Sequence, residues 1–599
     1  MIQHGIARVG RGWQRLKSGL IIPPLPPPPS VASKLAFLSQ PQSAQINTTL
    51  PVIHVVTQDV NGVTAPYSGT VTVVLSPNPG ALAGTVQVTV VDSIATFSTL
   101  SVTQAADGYS LTATASGLAS AVSALFNITA SPPPPTVAFD WFVSPTGTSS
   151  NSGTIDSPWS LAHALAGANG FIAPGDVIAL RRGSYIVTAQ AGFVVSLVGS
   201  AAAPIVFRAF TGERATLQGG GTLGQTVLHV NGVRCYFQDV EIIGNNRIFS
   251  SGANLKGTEN KLINCHIHNA MEVGVSAFQD LVGGEIYGCI IHNVPQLEAG
   301  AGGYSMYINH NSGVVKKILD NVVFNLGGYG THGYTPTAGD MQNLEMVGNI
   351  VFNQGVTVDG FPGELSAAFL FSAPNPQNIV YTDNYCYHPN DALTWALQIS
   401  ALEGSTLSGI TLRRNYLHGG SRLSQATSLI GTDNTFYGPR LVIAQALNTS
   451  GNTAGWTWAN NVHYSVSGAS PNTFPWRHPW AIGHTTLAAW RAASGIGTTD
   501  TNPGAAPTGT QVFVRPNAYE PARANIIIFN WAESANVSVD LSSVLSIGQN
   551  YTIKNVQDYY GGAVVSGTYD GAPVSIPMAG FTGPRFQVFL ARLSSNWES

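Results

Sequence analysis

Along much of the chain apolar and polar residues alternate in short runs, and the period is two, that of a strand with one buried face. In the first third the runs Val71–Leu75, Thr85–Val90 and Ala95–Leu100 are separated by Gly, Pro, Asn and Asp turn formers, the pattern of a β-sandwich. After about residue 512 the runs Val512–Val514, Ala524–Trp531, Val537–Leu541, Tyr551–Val556 and Pro573–Ile576 predict a second, small β-sandwich. Between the two the pattern becomes a repeat. Ile263–Asn269, Tyr287–Asn293, Leu319–Asn325 and Val347–Asn353 align without gaps, and each column keeps its character. The third column stands at 265, 289, 321 and 349, with further copies at Asn384 and Asn415, so the spacings are 24, 32, 28, 35 and 31 residues. A period of about 20–50 residues marks a solenoid, and β-branched runs without helical periodicity make each repeat a coil of strands.

The columns carry physical expectations, because equivalent residues of successive coils stack at about 4.7–4.9 Å. Ile267, Ile291, Val323 and Val351 should fill the interior. Cys265, Cys289, Asn321, Asn349, Asn384 and Asn415 should occupy a turn in which Asn adopts left-handed backbone and bonds along the stack. Asn269, Asn293, Asn325 and Asn353 should form a second ladder.

Composition narrows the class. At 599 residues the chain exceeds one core. Two proline runs, Pro23–Pro29 and Pro132–Pro135, read as extended spacers. The expected organisation is a basic tail and linker (1–33), a β-sandwich (34–130), a linker (131–138), a right-handed parallel β-helix (139–505) and a C-terminal β-sandwich (506–599) that caps the solenoid end. Charged residues are only 9% of the chain and the net charge is -4, which leaves no electrostatic footprint for nucleic acid. No apolar run is long enough for a membrane helix, so no membrane partner is expected. The basic start breaks into proline after Leu20-Ile21-Ile22, so no signal peptide is expected. Cys235, Cys265, Cys289 and Cys386 lack C-x-x-C spacing and read as core or ladder thiols.

Two resemblances add to this. Residues 34–130 resemble bacterial Ig-like domains through Leu35–Pro41, the Asp59–Gly62 turn, Ala95–Phe97 and Gly108–Ala113. Trp141–Gly147, Ser157–Leu161, Pro174–Arg181 and Gly212–Ala215 resemble the entry coils of the pectate-lyase-like parallel β-helix superfamily, over roughly 360 residues. That resemblance implies an all-β solenoid that engages polysaccharide. It leaves the chemistry open, because the superfamily includes lyases, hydrolases, epimerases and tailspikes. The paired aspartates and Gly-His-Gly of polygalacturonases are absent, as is a counterpart of the pectate lyase calcium and arginine signature, which disfavours those two activities.

Candidate chemistry lies on two coil strands offset by 25 residues, Gly303–Asn309 and Gly328–Tyr334. With Met306 and Ile308 inward, Tyr307 and Asn309 point out beside His332 and Tyr334. Phe278, Tyr304, Tyr329 and His310 extend the stripe as sugar-binding candidates. A lyase needs a base such as His332 or a tyrosine, Tyr307 or Tyr334. A hydrolase needs two carboxylates, for which Asp340, Asp359 and Glu364 in neighbouring loops are candidates. The bland reading is that His332 only covers a strand and Asp340 only forms a turn. His266, His268, His292 and His418 recur at coil turns, where stacking explains them better than metal ligation, so neither a metal nor another cofactor is expected. Asp320 and Asp383 read as structural.

The expected function is a virion-associated tailspike, fibre or decoration protein that binds, and in one version degrades, host surface polysaccharide. Its basic Ile6–Lys17 segment would dock to other virion proteins, and a homotrimer is an open assembly for it. The alternatives are an extracellular bacterial polysaccharide lyase or glycoside hydrolase, and a non-catalytic surface adhesin or structural protein. The expected location is a virion or extracellular surface.

Overall fold

The computed structural model describes residues 31–597 except 46–49, 78–80, 130–137, 188, 190, 221–223, 245–248, 297–301, 338, 340, 359–366, 389–394, 403–404, 425, 439–440, 444–452, 466–475, 478–482 and 581. The basic tail and both proline runs lie outside them. The chain divides into two compact units, residues 1–132 and 133–599.

The first unit is a mostly antiparallel, sandwich-like arrangement. Lys34–Phe37, Ile53–Gln58 and Ile94–Phe97 pair on one side, and Thr70–Ser76 pairs with Gln87–Thr89 and Ala106–Ala115 on the other. Alternate residues face inward, and Ile53, Val55, Val71, Val73, Leu75, Phe97 and Leu111 are buried together. At the Asp59 turn the carboxylate accepts from the N–H groups of Asn61 and Val63, both at 2.9 Å, and Gly62 takes φ 86°.

The second unit is built on a parallel β-helix of three sheets, with twelve strands in each among the described residues. Sheet I runs from Trp141–Val143 to Trp456–Ala459 and includes Lys316–Leu319; sheet II includes His266–His268, Ile290–Val294, Val322–Leu326 and Ile350–Gln354; sheet III includes Val273–Val282, Tyr304–Ile308, Thr331–Tyr334 and Ala367–Ala373. The predicted interior column Ile267, Ile291, Val323 and Val351 is fully buried.

The asparagine column is a continuous buried ladder. Asn321, Asn349, Asn384, Asn415, Asn434 and Asn461 each donate Nδ2 to the carboxamide or carboxylate oxygen of the next member, at 2.8–3.3 Å. The second Nδ2 hydrogen goes to a main-chain carbonyl of the preceding coil: Ile286, Ile318, Met346, Tyr381, Leu412 and Gly431. Each side-chain oxygen also accepts the N–H of the residue before it in the ladder, beginning with Cys289 N–H on Asn321. The ladder ends on Asp500, whose carboxylate accepts from Asn461 N–H, Trp458 Nε1 and His463 Nε2. Burial opposes the charge on Asp500, but these hydrogen bonds prevail and hold its pKa below the usual carboxylate value. One expectation is corrected. The left-handed backbone belongs not to the ladder asparagines but to the residue before each: Gly288, Asp320, Gly348, Asp383, Arg414, Asp433 and Asn460 have φ 50–72°. The ladder side chain must point inward, so the sharp bend falls one residue earlier. Asn293, Asn325 and Asn353 do take left-handed backbone, and they bond in series at 3.4 Å.

The C-terminal strands form a five-stranded sheet in the order Thr510–Pro516, Ala524–Asn530, Phe586–Leu593, Asn550–Asn555, Val565–Thr568. This sheet does not cap the solenoid end. It lies along the outward face of sheet II, where Ile527, Phe529, Phe586, Val588 and Leu590 pack on Ile290, Phe324, Phe352, Tyr387 and Tyr416. Its other face packs Ile526, Ile528, Phe589 and Ala591 on the antiparallel strand pair Asn536–Val539 and Val574–Pro577. Covered on both sides, the two central strands are buried along nearly their whole length instead of alternating. Trp531 Nε1 on Tyr416 Oη (2.7 Å), Asn525 Nδ2 on the Asp320 carbonyl (2.9 Å) and the Arg515–Asp320 ion pair fasten the sheet laterally. The ends are closed by short helices. Leu161–Leu165 covers the first coil beside the stacked Trp141 and Trp159, and Leu487–Ser494 buries Leu487 and Trp490 at the last.

Replacing Asn349 with Ala strands the donors and acceptors of Asn321, Asn384 and Ile318, so it should destabilise by about 1–3 kcal/mol. Urea unfolding monitored by circular dichroism measures this, and an unchanged midpoint would contradict the ladder. Phe529→Ala should cost about 3–5 kcal/mol and render the C-terminal sheet susceptible to limited proteolysis before the solenoid is cut. Simultaneous cleavage of both would show that the sheet does not detach separately.

Candidate functional site

Sheet III presents the outward stripe. The register pairs Tyr307 with His332 and Met306 with Thr331, the predicted 25-residue offset, while Met306 and Ile308 are buried inside. Continuing through the sheet, the same outward column holds Asn254, Ser276, Tyr307, His332, Leu370, Gln398 and Arg422. His332 is the hub of an aromatic platform. Its ring stacks on Tyr307 (centroids 4.7 Å apart, planes 24°), Tyr329 (4.9 Å, 18°) and Tyr334 (5.7 Å, 15°), and Tyr304 meets it edge-on at 4.3 Å. Phe278 lies edge-on to Tyr307 at 5.0 Å.

The electrostatics follow from burial. His332 is only 8% exposed, and desolvation lowers its pKa to about 4, so the imidazole is neutral at neutral pH. Its Nδ1 has no hydrogen-bond partner among the described residues. Burial, and secondarily Tyr334, raise the pKa of Tyr307. The arrangement therefore offers flat apolar faces, phenol hydroxyls and an uncharged imidazole nitrogen, groups suited to a hydroxylated ring.

Other predicted residues are placed differently. His310 does not join the platform: its ring is fully buried, Nε2 meets the Val314 carbonyl at 2.5 Å, and burial lowers its pKa to about 4. His310 follows Met306 and Ile308 on the inward side of the alternation and bridges to Met341. Asn309 is 9% exposed with an unpaired Oδ1. Tyr304 is 7% exposed and backs the platform more than it lines it. Asp340, Asp359 and Glu364 lie outside the described residues. Asp320 is bound to Arg515, and Asp383 to Arg414 at 2.8 Å, which gives both carboxylates structural partners.

Beneath the platform lies a residue that sequence reasoning passed over. Lys316 is fully buried and donates Nζ to the carbonyls of Ala277 (2.9 Å), Phe278 (2.6 Å) and Asn309 (2.9 Å), tying the middle of one platform strand to the end of the next. Burial lowers its pKa to about 7. Its signal in sequence is faint, one lysine opening a strand beside an ordinary exposed one. The repeated histidines are also relocated. His266, His268, His292 and His418 sit within strands of sheet II, not at turns; the bends fall at Asn264, Asn269, Gly288 and Asn293. His268 and His292 stack at 4.9 Å, as do His292 and Phe324 at 4.6 Å.

A family model agrees on the β-helix over part of the chain. Residues 141–320 match the family described as Pel9A-like, right handed beta helix region. Among solved structures the chain is similar to pectate lyase Pel9A (17% identity, TM-score 0.39, covering 57% of this chain and 84% of that one). It is similar also to a rhamnogalacturonan lyase (16%, 0.40, 54% and 87%) and to the Dettilon tailspike protein (12%, 0.31, 75% and 93%). Among curated proteins nothing matches. No helix among the described residues is long and apolar enough to cross a membrane.

Because the His332 pKa falls from 6.5 to about 4 on folding, the unfolded chain binds more protons between those values. Its contribution to stability is thus complete above pH 6.5 and lost as pH drops toward 4. In His332→Gln the unfolding free energy should decline less steeply over that window than in the parent. Parallel pH profiles from chemical denaturation would mean that His332 is not held neutral by burial.

Proposed function

We propose that sheet III binds cell-surface polysaccharide on the platform of Tyr307, Tyr329, His332 and Tyr334, and that the protein serves as a recognition element on a virion. The observation that carries the binding reading is the set of near-parallel rings around His332, with centroids 4.7–5.7 Å apart. Such rings give sugar C–H faces a large apolar contact at low conformational cost, and the phenols supply hydroxyl partners at the rim. The virion assignment rests on the combination of a β-helix with a separate sandwich-like unit and a basic leading segment that would dock to the particle. It is supported if mass spectrometry finds the chain in purified particles and lost if the chain fractionates only with cells.

A second reading, polysaccharide cleavage, is favoured by one observation: burial keeps the His332 imidazole neutral at the centre of the platform, the state required of a general base. Elimination next to a uronate carboxylate would place the abstracted proton on this imidazole.

Tyr307→Ala and Tyr334→Ala should each weaken binding to extracted host polysaccharide about 3- to 10-fold, the worth of roughly 0.5–1.5 kcal/mol for an aromatic contact, with little change in thermal midpoint. His332→Ala distinguishes the two readings. Lost turnover with retained binding, followed as reducing ends and unsaturated-uronate absorbance, assigns catalysis. Parent-like binding in all three variants would place the site elsewhere.

A further inference from the structure

Sheet II carries a cluster that the polysaccharide reading does not use. Glu241, in the strand Glu241–Ile243, pairs in register with His266, and His268 pairs with His292 on the next coil. The four outward side chains thus form a rhombus of stacked columns. His266 Nε2 lies 2.8 Å from His292 Nε2, and His268 Nε2 lies 3.0 Å from Glu241 Oε1. One ligand atom from each of Glu241, His266 and His268 falls within 4.8 Å of the other two.

We propose that this cluster binds a divalent transition-metal ion of the zinc class, with His266, His268 and Glu241 as ligands and His292 beside His266. Tetrahedral nitrogen and oxygen ligands at about 2.0–2.1 Å from zinc stand roughly 3.3 Å apart, so small ring rotations bring these atoms to a common centre. The contact between two Nε2 atoms is the second pointer. Without an ion, one imidazole must hold its proton on the nitrogen facing the other; with an ion, both lone pairs point to the same place.

The donor set also selects the ion. Calcium and magnesium require several oxygen ligands, whereas here there is one carboxylate, already shared with Arg214 (2.6 and 2.8 Å) and Thr216 (2.5 Å). Imidazole nitrogens must then supply most of the affinity, which favours zinc, copper or nickel. Arg214 and Thr216 would hold the carboxylate in place from outside. The ring of Tyr559, from the C-terminal segment, lies 4.7 Å from that of His266, so the ion would sit where this segment meets sheet II. His268 is half-buried and provides the route of entry. The role is structural: an ion bound only to the folded form stabilises it by mass action.

The test uses the full chain stripped with a chelator and titrated with cobalt(II), then zinc(II). One equivalent of cobalt should produce the intense visible d–d bands of a tetrahedral site, zinc should bleach them, and excess zinc should raise the thermal midpoint by several degrees, reversibly with chelator. His268→Gln, at a half-buried position, should fold yet lose both the bands and the zinc-dependent shift. Absence of bands and shift in the parent overturns the proposal, as does a His268→Gln spectrum equal to the parent's or an equal midpoint shift with calcium. The parent titration decides by itself if the variant does not fold.

Discussion

A polar side chain that points into a parallel coil stack has no water to fall back on, so it must find its partners within the stack. The Asn321-to-Asp500 ladder meets that constraint completely: both amide hydrogens and the carboxamide oxygen of each asparagine are used, and the series closes on a carboxylate. Left unmatched, any one of these groups would cost about 1–3 kcal/mol, more than a substitution by an apolar residue that fits. The rest of the solenoid depends on this line of contacts. From Cys289 onward it fixes the height of each coil at one corner and so holds the register that places Tyr307 beside His332.

With register fixed, the C-terminal sheet decides which outward face is left for function. It takes sheet II from Ile290 to Tyr416, an aromatic surface that would otherwise be a large exposed apolar patch. Sheet III keeps its own aromatic row uncovered by that sheet. Two faces rich in rings therefore have opposite fates: one is consumed in packing, and the other remains as a platform whose central imidazole is dried by its neighbours.

The solenoid was legible because stacking demands the same residue type at the same point of each coil, and Asn321, Asn349, Asn384 and Asn415 make that demand visible. Asn434 and Asn461 escaped because the coils around them shorten and lengthen, and their neighbours no longer resemble the earlier copies. The platform was legible through one offset, and the same alternation that turns Met306 and Ile308 inward also turns His310 inward, which assigning His310 to a turn obscured. The lateral seat of the C-terminal sheet was hidden for a different reason. The run Ile526–Phe529 is apolar on both faces, a sign of double coverage, yet nothing in the run names what covers it. The strand Phe586–Leu593 was missed for the same cause, having no alternation to mark it.

That strand has a consequence for the order in which the molecule can be assembled. Phe586–Leu593 is the middle member of the five-stranded sheet, hydrogen-bonded to Ala524–Asn530 on one side and Asn550–Asn555 on the other, and it follows both in sequence. On a ribosome, the two flanking strands emerge with their inner edges unmatched and wait for the segment that joins them. Until it arrives, the rings of Phe324, Phe352, Tyr387 and Tyr416 stay wet, so the solenoid is finished well before it is sealed. A nascent chain stalled in that interval would present both a bare strand edge and an aromatic strip, the combination by which quality-control machinery recognises unfinished protein.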